Sequence, residues 1–303
     1  MDLNRLKALR EVARSGTMAA AAEALFITPS AVSQQIAQLE EEMDLALTER
    51  QGRGVRLTPA GEALVMHTER ILVVLDQARS ELALLKREIA GELRVAAFPS
   101  IASAVMPDAV KALRAVFPRL QIVLEEMEPP EGLAALGSWR ADVALVDDLS
   151  VLLGKNQESY GRVPLTEDTL HVLLPAKHEL AKKASLTVSD LQHQDWALDS
   201  TSSAFGDFIT NLCRRAGFEP RLNARCKGFE MVAAMVTSGA SVSIVPGLRL
   251  ARPIPGSKAV RLRPDVRRKI SAAFRRGERD HPAVKVFMEE LVRAAGKLKV
   301  SSA

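Results

Sequence analysis

The chain has 303 residues, more than one small core needs, so two or more compact domains are expected. Its 47% hydrophobic and 26% charged residues are the balance of a globular protein, and no apolar run is long enough to cross a bilayer, which excludes a membrane-spanning helix. A net charge of +4 admits a nucleic-acid partner without locating it, because the excess of Lys and Arg lies from Arg249 onward, where a solvated or subunit-facing basic surface is the plain reading of Arg261, Arg263, Arg267, Arg268, Lys269, Arg275 and Arg276.

The sequence opens directly into amphipathic helix without the basic-then-apolar pattern of a signal peptide, so the cytoplasm is the expected location. Leu6, Leu9, Val12 and Ala13 predict a first helix over Leu3 to Ser15, stopped by Gly16. Thr17 caps a second helix of small residues through Leu25, suited to close packing on a neighbour. Thr28 followed by Pro29 starts a third helix: a hydroxyl at the N-cap, then a proline where its missing N–H costs nothing.

In this third helix Val32, Ile36, Leu39 and Met43 form one apolar stripe, which turns Ser30, Ser33, Gln34, Ala37 and Glu41 to the other side. A short polar face at a helix start suits phosphates and base edges, as a recognition helix requires. Arg50 to Thr58 then read as two extended pieces around a glycine-rich turn bearing Arg50, Arg53 and Arg56, a wing able to straddle a phosphate backbone or enter the minor groove.

Thr58 and Pro59 start another helix. Along it Leu64, Thr68, Ile71, Leu75, Ala78, Leu82, Leu85 and Ile89 alternate steps of four and three, the period of a two-helix seam, with a helix packed only on its own domain as the competing reading. Gly91 marks the next boundary. Beyond it strands are predicted at Leu93 to Phe98, Leu120 to Leu124, Ala141 to Val146, Leu170 to Leu174, Trp196 to Asp199 and Val242 to Val245. Helices are predicted over Val105 to Val116, Ala204 to Gly217 and Met231 to Thr237, and Pro253 to Pro264 reads as loop. The alternation predicts parallel sheet under helices, in two α/β halves that exchange chain near Val163 and Ile270.

From Gly16 to Gly61 the sequence resembles the winged helix-turn-helix of LysR-type transcriptional regulators, through Ala20, Ala21, Leu25, Ala31, Val32, Ser33, Gln35, Ile36, Leu39, Glu40, Leu47, Arg50, Leu57, Thr58, Ala60 and Gly61. A weaker likeness continues through His178, Glu179 and Leu180 and through Gly239 to Pro246. The departures are Asp44 and Thr48, where members usually carry glycine and phenylalanine, and the inverted order of Pro29 and Ser30. The resemblance implies an α/β chain in three parts: a winged helix-turn-helix over 1–58, a dimerising linker over 59–90 with Leu64, Ile71, Leu75, Leu82 and Leu85 in the seam, and an effector-binding domain over 91–303. That domain would have two subdomains, about 91–163 with 270–303 and about 164–269, like a periplasmic binding protein. It also implies that Ser30, Ser33 and Gln34 approach the major groove, with Thr28 and Arg53 at the backbone or minor groove and Pro29 also on the DNA-binding surface. The implied partners are promoter DNA with a partly palindromic site, a small-molecule effector, a second or fourth copy of the chain, and RNA polymerase.

In such a domain ligands sit at the carboxyl ends of strands, against helix starts. Ser100 and Ile101 follow the first strand, and Thr201 and Ser202 lie between a strand and a helix, so hydroxyls and N–H groups there suit a small carboxylate, unless they are ordinary caps. Asp147 follows the third strand and suits an amine, as an amino acid effector would offer, unless it is a solvated loop acid. No nucleophile-base pair, metal spacing or phosphate loop is found, so no enzyme activity and no cofactor is expected, the rival being an enzyme or solute-binding protein fused to the reading head. A second rival is redox sensing: Cys213 reads as a buried thiol, while Arg225 and Lys227 beside Cys226 are expected to lower its pKa.

Overall fold

The structure is a computed structural model and describes residues 2–52, 54–85, 89–150, 160–199 and 203–298. Helices α1 (Leu3–Ser15), α2 (Met18–Leu25) and α3 (Pro29–Met43) form a small bundle whose core holds Leu9, Val12, Ala21, Val32, Ile36 and Leu39. The starts follow the local chemistry: the Thr17 and Thr28 hydroxyls accept from Ala20 and Ala31 N–H, with Pro29 in the first turn of α3. Strands β1 (Thr48–Gln51) and β2 (Gly54–Leu57) make the antiparallel wing. Asp44 ends α3 at φ 51, in the left-handed region that costs a non-glycine residue about 1–2 kcal/mol and that glycine enters freely. Thr48 is seated by Glu40, whose carboxylate accepts from the Leu47 and Thr48 N–H groups and the Thr48 hydroxyl.

Helix α4 (Pro59–Leu84) leaves this bundle with Gly61 against the Leu47 carbonyl, where a Cβ would stand 2.1 Å from the oxygen. Its two faces differ. Thr68, Leu72 and Asp76 are buried within the same chain, whereas Ile71, Val74, Leu75, Leu82 and Leu85 are exposed. Leu64 packs into the core of the bundle, so the free part of the expected seam begins at Ile71.

The remaining chain forms two lobes around a mixed sheet. In the first, β3 (Gly91–Ala97) lies parallel between β4 (Leu120–Glu126) and β5 (Val143–Asp147), covered by α5 (Pro99–Val116), α6 (Pro129–Gly137) and α9 (Pro282–Gly296). The long strand β6 (Tyr160–Pro175) runs through both lobes. In the second lobe stand β7 (Ser185–Leu186), β8 (Asp195–Asp199), α7 (Ser203–Arg215), β9 (Arg221–Cys226), α8 (Phe229–Thr237), β10 (Ser243–Pro246) and β11 (Ser257–Leu262). Strand β12 (Arg267–Arg275) then returns to the first lobe beside β5. The expectation of parallel sheet is corrected here: β12 is antiparallel to β5 and β6, and β10 and β11 are antiparallel to β6. Strand β6 exchanges β12 for β10 and β11 between Thr169 and Leu170, not near Val163, and β11 occupies part of the stretch expected to be loop.

The linker helix rests on the first lobe at the 3-10 turn Arg276–Glu278, so closely that a Cβ on Gly277 would stand 2.6 Å from both the Val73 carbonyl oxygen and Asp76 Cβ. Arg275, expected on a solvated face, is buried there: it donates to the Leu136 and Ala141 carbonyls and to Asp142 and Glu278, and its Nε lies 3.4 Å from Asp76. Burial pushes the Asp76 carboxyl up to about 6 against the pull of Arg275, with Glu278, Arg79 and Trp139 also facing it. Folding thus makes this group hold a proton that the unfolded chain has released between about pH 4 and 6, so its contribution to stability grows as pH falls through that window. Thermal unfolding of Asp76→Asn followed across this range is expected to show a smaller rise toward acid than the parent. Parallel curves would mean that another group carries the dependence.

Candidate nucleic-acid interface and effector cleft

On α3 the buried side of Val32, Ile36 and Leu39 turns Ser30, Ser33 and Gln34 outward, all three exposed together with Thr28 and Pro29. The Thr28 hydroxyl lies 2.9 Å from that of Ser30 and caps Ala31 N–H at 3.2 Å, so the start of α3 is fixed while its hydroxyl pair faces solvent. In the wing Arg50 is exposed and Arg56 is tied across the ladder to Glu49, while Arg53 lies outside the described residues. The reading head also touches the first lobe: Lys7 Nζ stands 3.6 Å from the Trp139 ring centroid, Arg140 lies over Phe26 at 3.5 Å, and Arg10 donates to the Gly137 carbonyl.

Between the lobes lies a cleft of about 620 Å³, its open mouth included. The ends of β3, β5, β8 and β10, the starts of α5, α7 and α8, and the head of β12 supply its walls. Ser100, on α5, and Asp147, at the end of β5, reach it, as expected from their place after strands. Ile101 is fully buried in the first-lobe core, and Thr201 and Ser202 lie outside the described residues.

The chemistry at the cleft floor is set by a residue that sequence reasoning placed on a solvated face. Arg268 is buried and donates to Asp168 at 2.7 and 3.0 Å and to the Ser100 hydroxyl at 2.6 Å, with Asp147 at 3.5 Å. Asp168 also accepts from Leu248 N–H, and Asp147 from the Leu149 and Ser150 N–H groups. The signal was the alternation in β12, where Arg268 shares a face with Ile270 and Ala272 and is therefore turned inward. Above this network Arg249, on the 3-10 turn Gly247–Leu250, stands half-buried with its guanidinium 5.1 Å from the Phe229 ring. Burial lowers its pKa below the ordinary arginine value.

The redox expectation for Cys226 is corrected. Its thiol is buried on the second lobe, and burial together with the Asp199 charge raises its pKa rather than lowering it. Cys213 is buried too, its pKa pushed up to about 12. Neither site favours a thiolate, the reactive species. Among the described residues no group of three His, Cys, Asp or Glu could hold a metal ion, and no helix is long and apolar enough to cross a membrane.

Two family models match the chain: the bacterial regulatory helix-turn-helix of the lysR family over residues 3–62 and the LysR substrate binding domain over 86–296. Among curated relatives, the transcriptional dual regulator GltC of Bacillus subtilis is 25% identical over 255 residues, covering 84% of each chain. Among solved structures, a full-length OxyR variant from Pseudomonas aeruginosa has a TM-score of 0.63 at 23% identity, covering 96% of this chain and 94% of that one. Full-length CbnR in complex with its target DNA has a TM-score of 0.55 at 25% identity, covering 97% of this chain and 100% of that one. With both its reading head and its two-lobed domain matched, this chain belongs to the LysR family of DNA-binding transcriptional regulators.

Proposed function

We propose that the chain reads a partly palindromic promoter site as a homodimer or tetramer in the cytoplasm, and that a small effector in the interlobe cleft biases the placement of its subunits. The working units are the reading head 1–58, the linker 59–90 and the sensor 91–303. The observation that carries this reading is the exposed polar face of Ser30, Ser33 and Gln34 at the capped start of α3. Gln34 reads a base edge, Ser30 and Ser33 accompany it in the major groove, and Thr28, Pro29 and Arg53 position the head on the backbone. Effector binding draws the lobes together, and the buried junction at Asp76 and Arg275 passes that movement to α4, changing DNA bend or spacing. The chain itself works through binding and without chemical turnover.

Footprinting of the purified protein on DNA flanking its own gene tests this, with protection over an interrupted palindrome expected. On the protected site Gln34→Ala is expected to weaken binding by about 1–3 kcal/mol, roughly 5- to 150-fold, with the salt dependence unchanged because no phosphate contact is lost. A uniform loss on all sequences would instead make Gln34 a backbone contact. No protection at low salt would sink the assignment of α3.

A further inference from the structure

Every ionic side chain lining the cleft, Arg249 excepted, already has partners in the chain. Asp147 accepts from two backbone N–H groups and faces Arg268. Glu128 caps α6 through its side chain, and Asp199 accepts from Gly228 N–H. Arg268 directs four of its five N–H donors to Asp168, Asp147 and the Ser100 hydroxyl. Arg249 alone among these lining groups carries, among the described residues, neither a hydrogen bond nor an ion pair, its contact being the Phe229 ring. A half-buried guanidinium costs free energy until an acceptor reaches it, so the unmet demand of this cleft is for one anion at Arg249.

Resting on the reading of the cleft as the effector site, we infer that the effector is a monocarboxylate with a compact apolar body, its carboxylate held by Arg249 and its body among Phe98, Leu198, Phe205, Ile209 and Phe229. The lining supplies those apolar walls, and about 620 Å³ with the mouth included leaves room for one small molecule. The Ser100 hydroxyl is not the anchor, because Arg268 holds it at 2.6 Å. One negative charge is accepted and two are not: Glu128, Asp147, Asp168 and Asp199 stand around the floor and mouth, and Arg268 offsets only part of them. An ammonium group gains little, since each of those acids is already supplied with donors.

Calorimetric titration of the full-length protein tests this with phenylacetate and isovalerate, each beside its neutral amide, and with phenylalanine and phenyl phosphate. At least one of the two acids is expected to bind at least about tenfold more tightly than its amide, its zwitterionic analogue or the dianion. Arg249→Gln is expected to bring that acid down to the level of its amide and leave the amide unchanged. Phe205→Ala is expected to weaken acid and amide alike. Equal binding of acid and amide, an undiminished acid in Arg249→Gln, or no binding by any probe would overturn the inference. If Phe205→Ala weakens the acid and Arg249→Gln does not, the cleft stands as the effector site and the assignment to Arg249 falls. If a bound acid is indifferent to both changes, the reading of the cleft itself fails, and footprinting still judges the reading head separately.

Discussion

Replacing Arg275 by methionine is expected to lower the stability of the chain by about 3–5 kcal/mol at neutral pH, the loss typical when one partner of a buried ion pair is removed. The side chain is buried at the end of β12 and holds together parts of the molecule that are far apart in sequence: two carbonyls at Leu136 and Ala141, Asp142 before β5, Glu278 after β12, and Asp76 on the linker. Methionine fills most of the volume but leaves three carboxylates facing one another. Arg94 still reaches Asp142 at 3.4 Å and Arg79 reaches Glu278 at 3.8 Å, so the cluster is weakened without losing all its cations. Asp76, whose carboxyl burial pushes up to about 6, takes up a proton first, which gives the sign of the pH effect: the deficit is expected to shrink as pH falls below neutral. Denaturant unfolding of parent and variant at neutral and acid pH measures both effects. A variant as stable as its parent at neutral pH would mean that Arg275 is not the tie between linker and sensor. Limited proteolysis adds a local readout, because α4 is expected to become cleavable after Asp76 before the lobes unfold.

How much of this could be read in advance depended on the range of the interactions involved. The reading head was legible because its signals are local: Thr17, Thr28 and Thr58 cap the helices that follow them, and the stripe of Val32, Ile36 and Leu39 turns Ser33 and Gln34 outward. Strand β6 was legible only in its apolar end. Its first half carries Gly161, Arg162, Pro164, Glu167 and Asp168, a composition that argues for loop, and it is a strand because β12 completes its backbone hydrogen bonds. Pro164 fits there at the register shift opposite Ile270 and Ser271, where a missing N–H is tolerated. Helix α9, absent from the predicted order, did carry a signal, Pro282 in its first turn and a buried stripe through Val284, Phe287 and Leu291. The ionic residues were the hardest. Arg268 and Arg275 look like a solvated basic run until Asp168, Asp147, Asp142 and Asp76 are brought to them from distant positions. The same holds for the cleft: Ser100 and Asp147 were found from their places after strands, whereas Arg249 has no local mark that separates it from an exposed arginine.

Introducing arginine at Leu75 and Leu82 together is expected to convert the proposed dimer to a monomer and to reduce affinity for the full interrupted site by roughly a hundredfold or more. Leu75 is 38% exposed and Leu82 64%, with Leu85 80% exposed just past the helix end, on a helix whose neighbouring face is already covered by its own chain. Packing on its own chain uses Thr68, Leu72 and Asp76 and leaves the stripe from Ile71 to Leu85 in water, which favours a second helix as its partner over packing within one chain alone. The exposed positions Ile71, Leu75, Ala78, Leu82 and Leu85 keep the four-and-three spacing that two helices need to interlock. A second α4 is the partner that matches this spacing over the same length, and full burial of each leucine or isoleucine contributes about 1.5–3 kcal/mol. Since the side chains changed are exposed in the single chain, the variant is expected to keep its circular dichroism spectrum and thermal transition, which separates loss of assembly from loss of fold. Sedimentation measures the first effect. Half-site binding measures the second: each reading head should hold an isolated half-site as before, while the gain from linking two heads disappears. A variant that stays dimeric would move the interface off α4, and one that becomes monomeric yet binds the full site undiminished would show that the two heads do not act together.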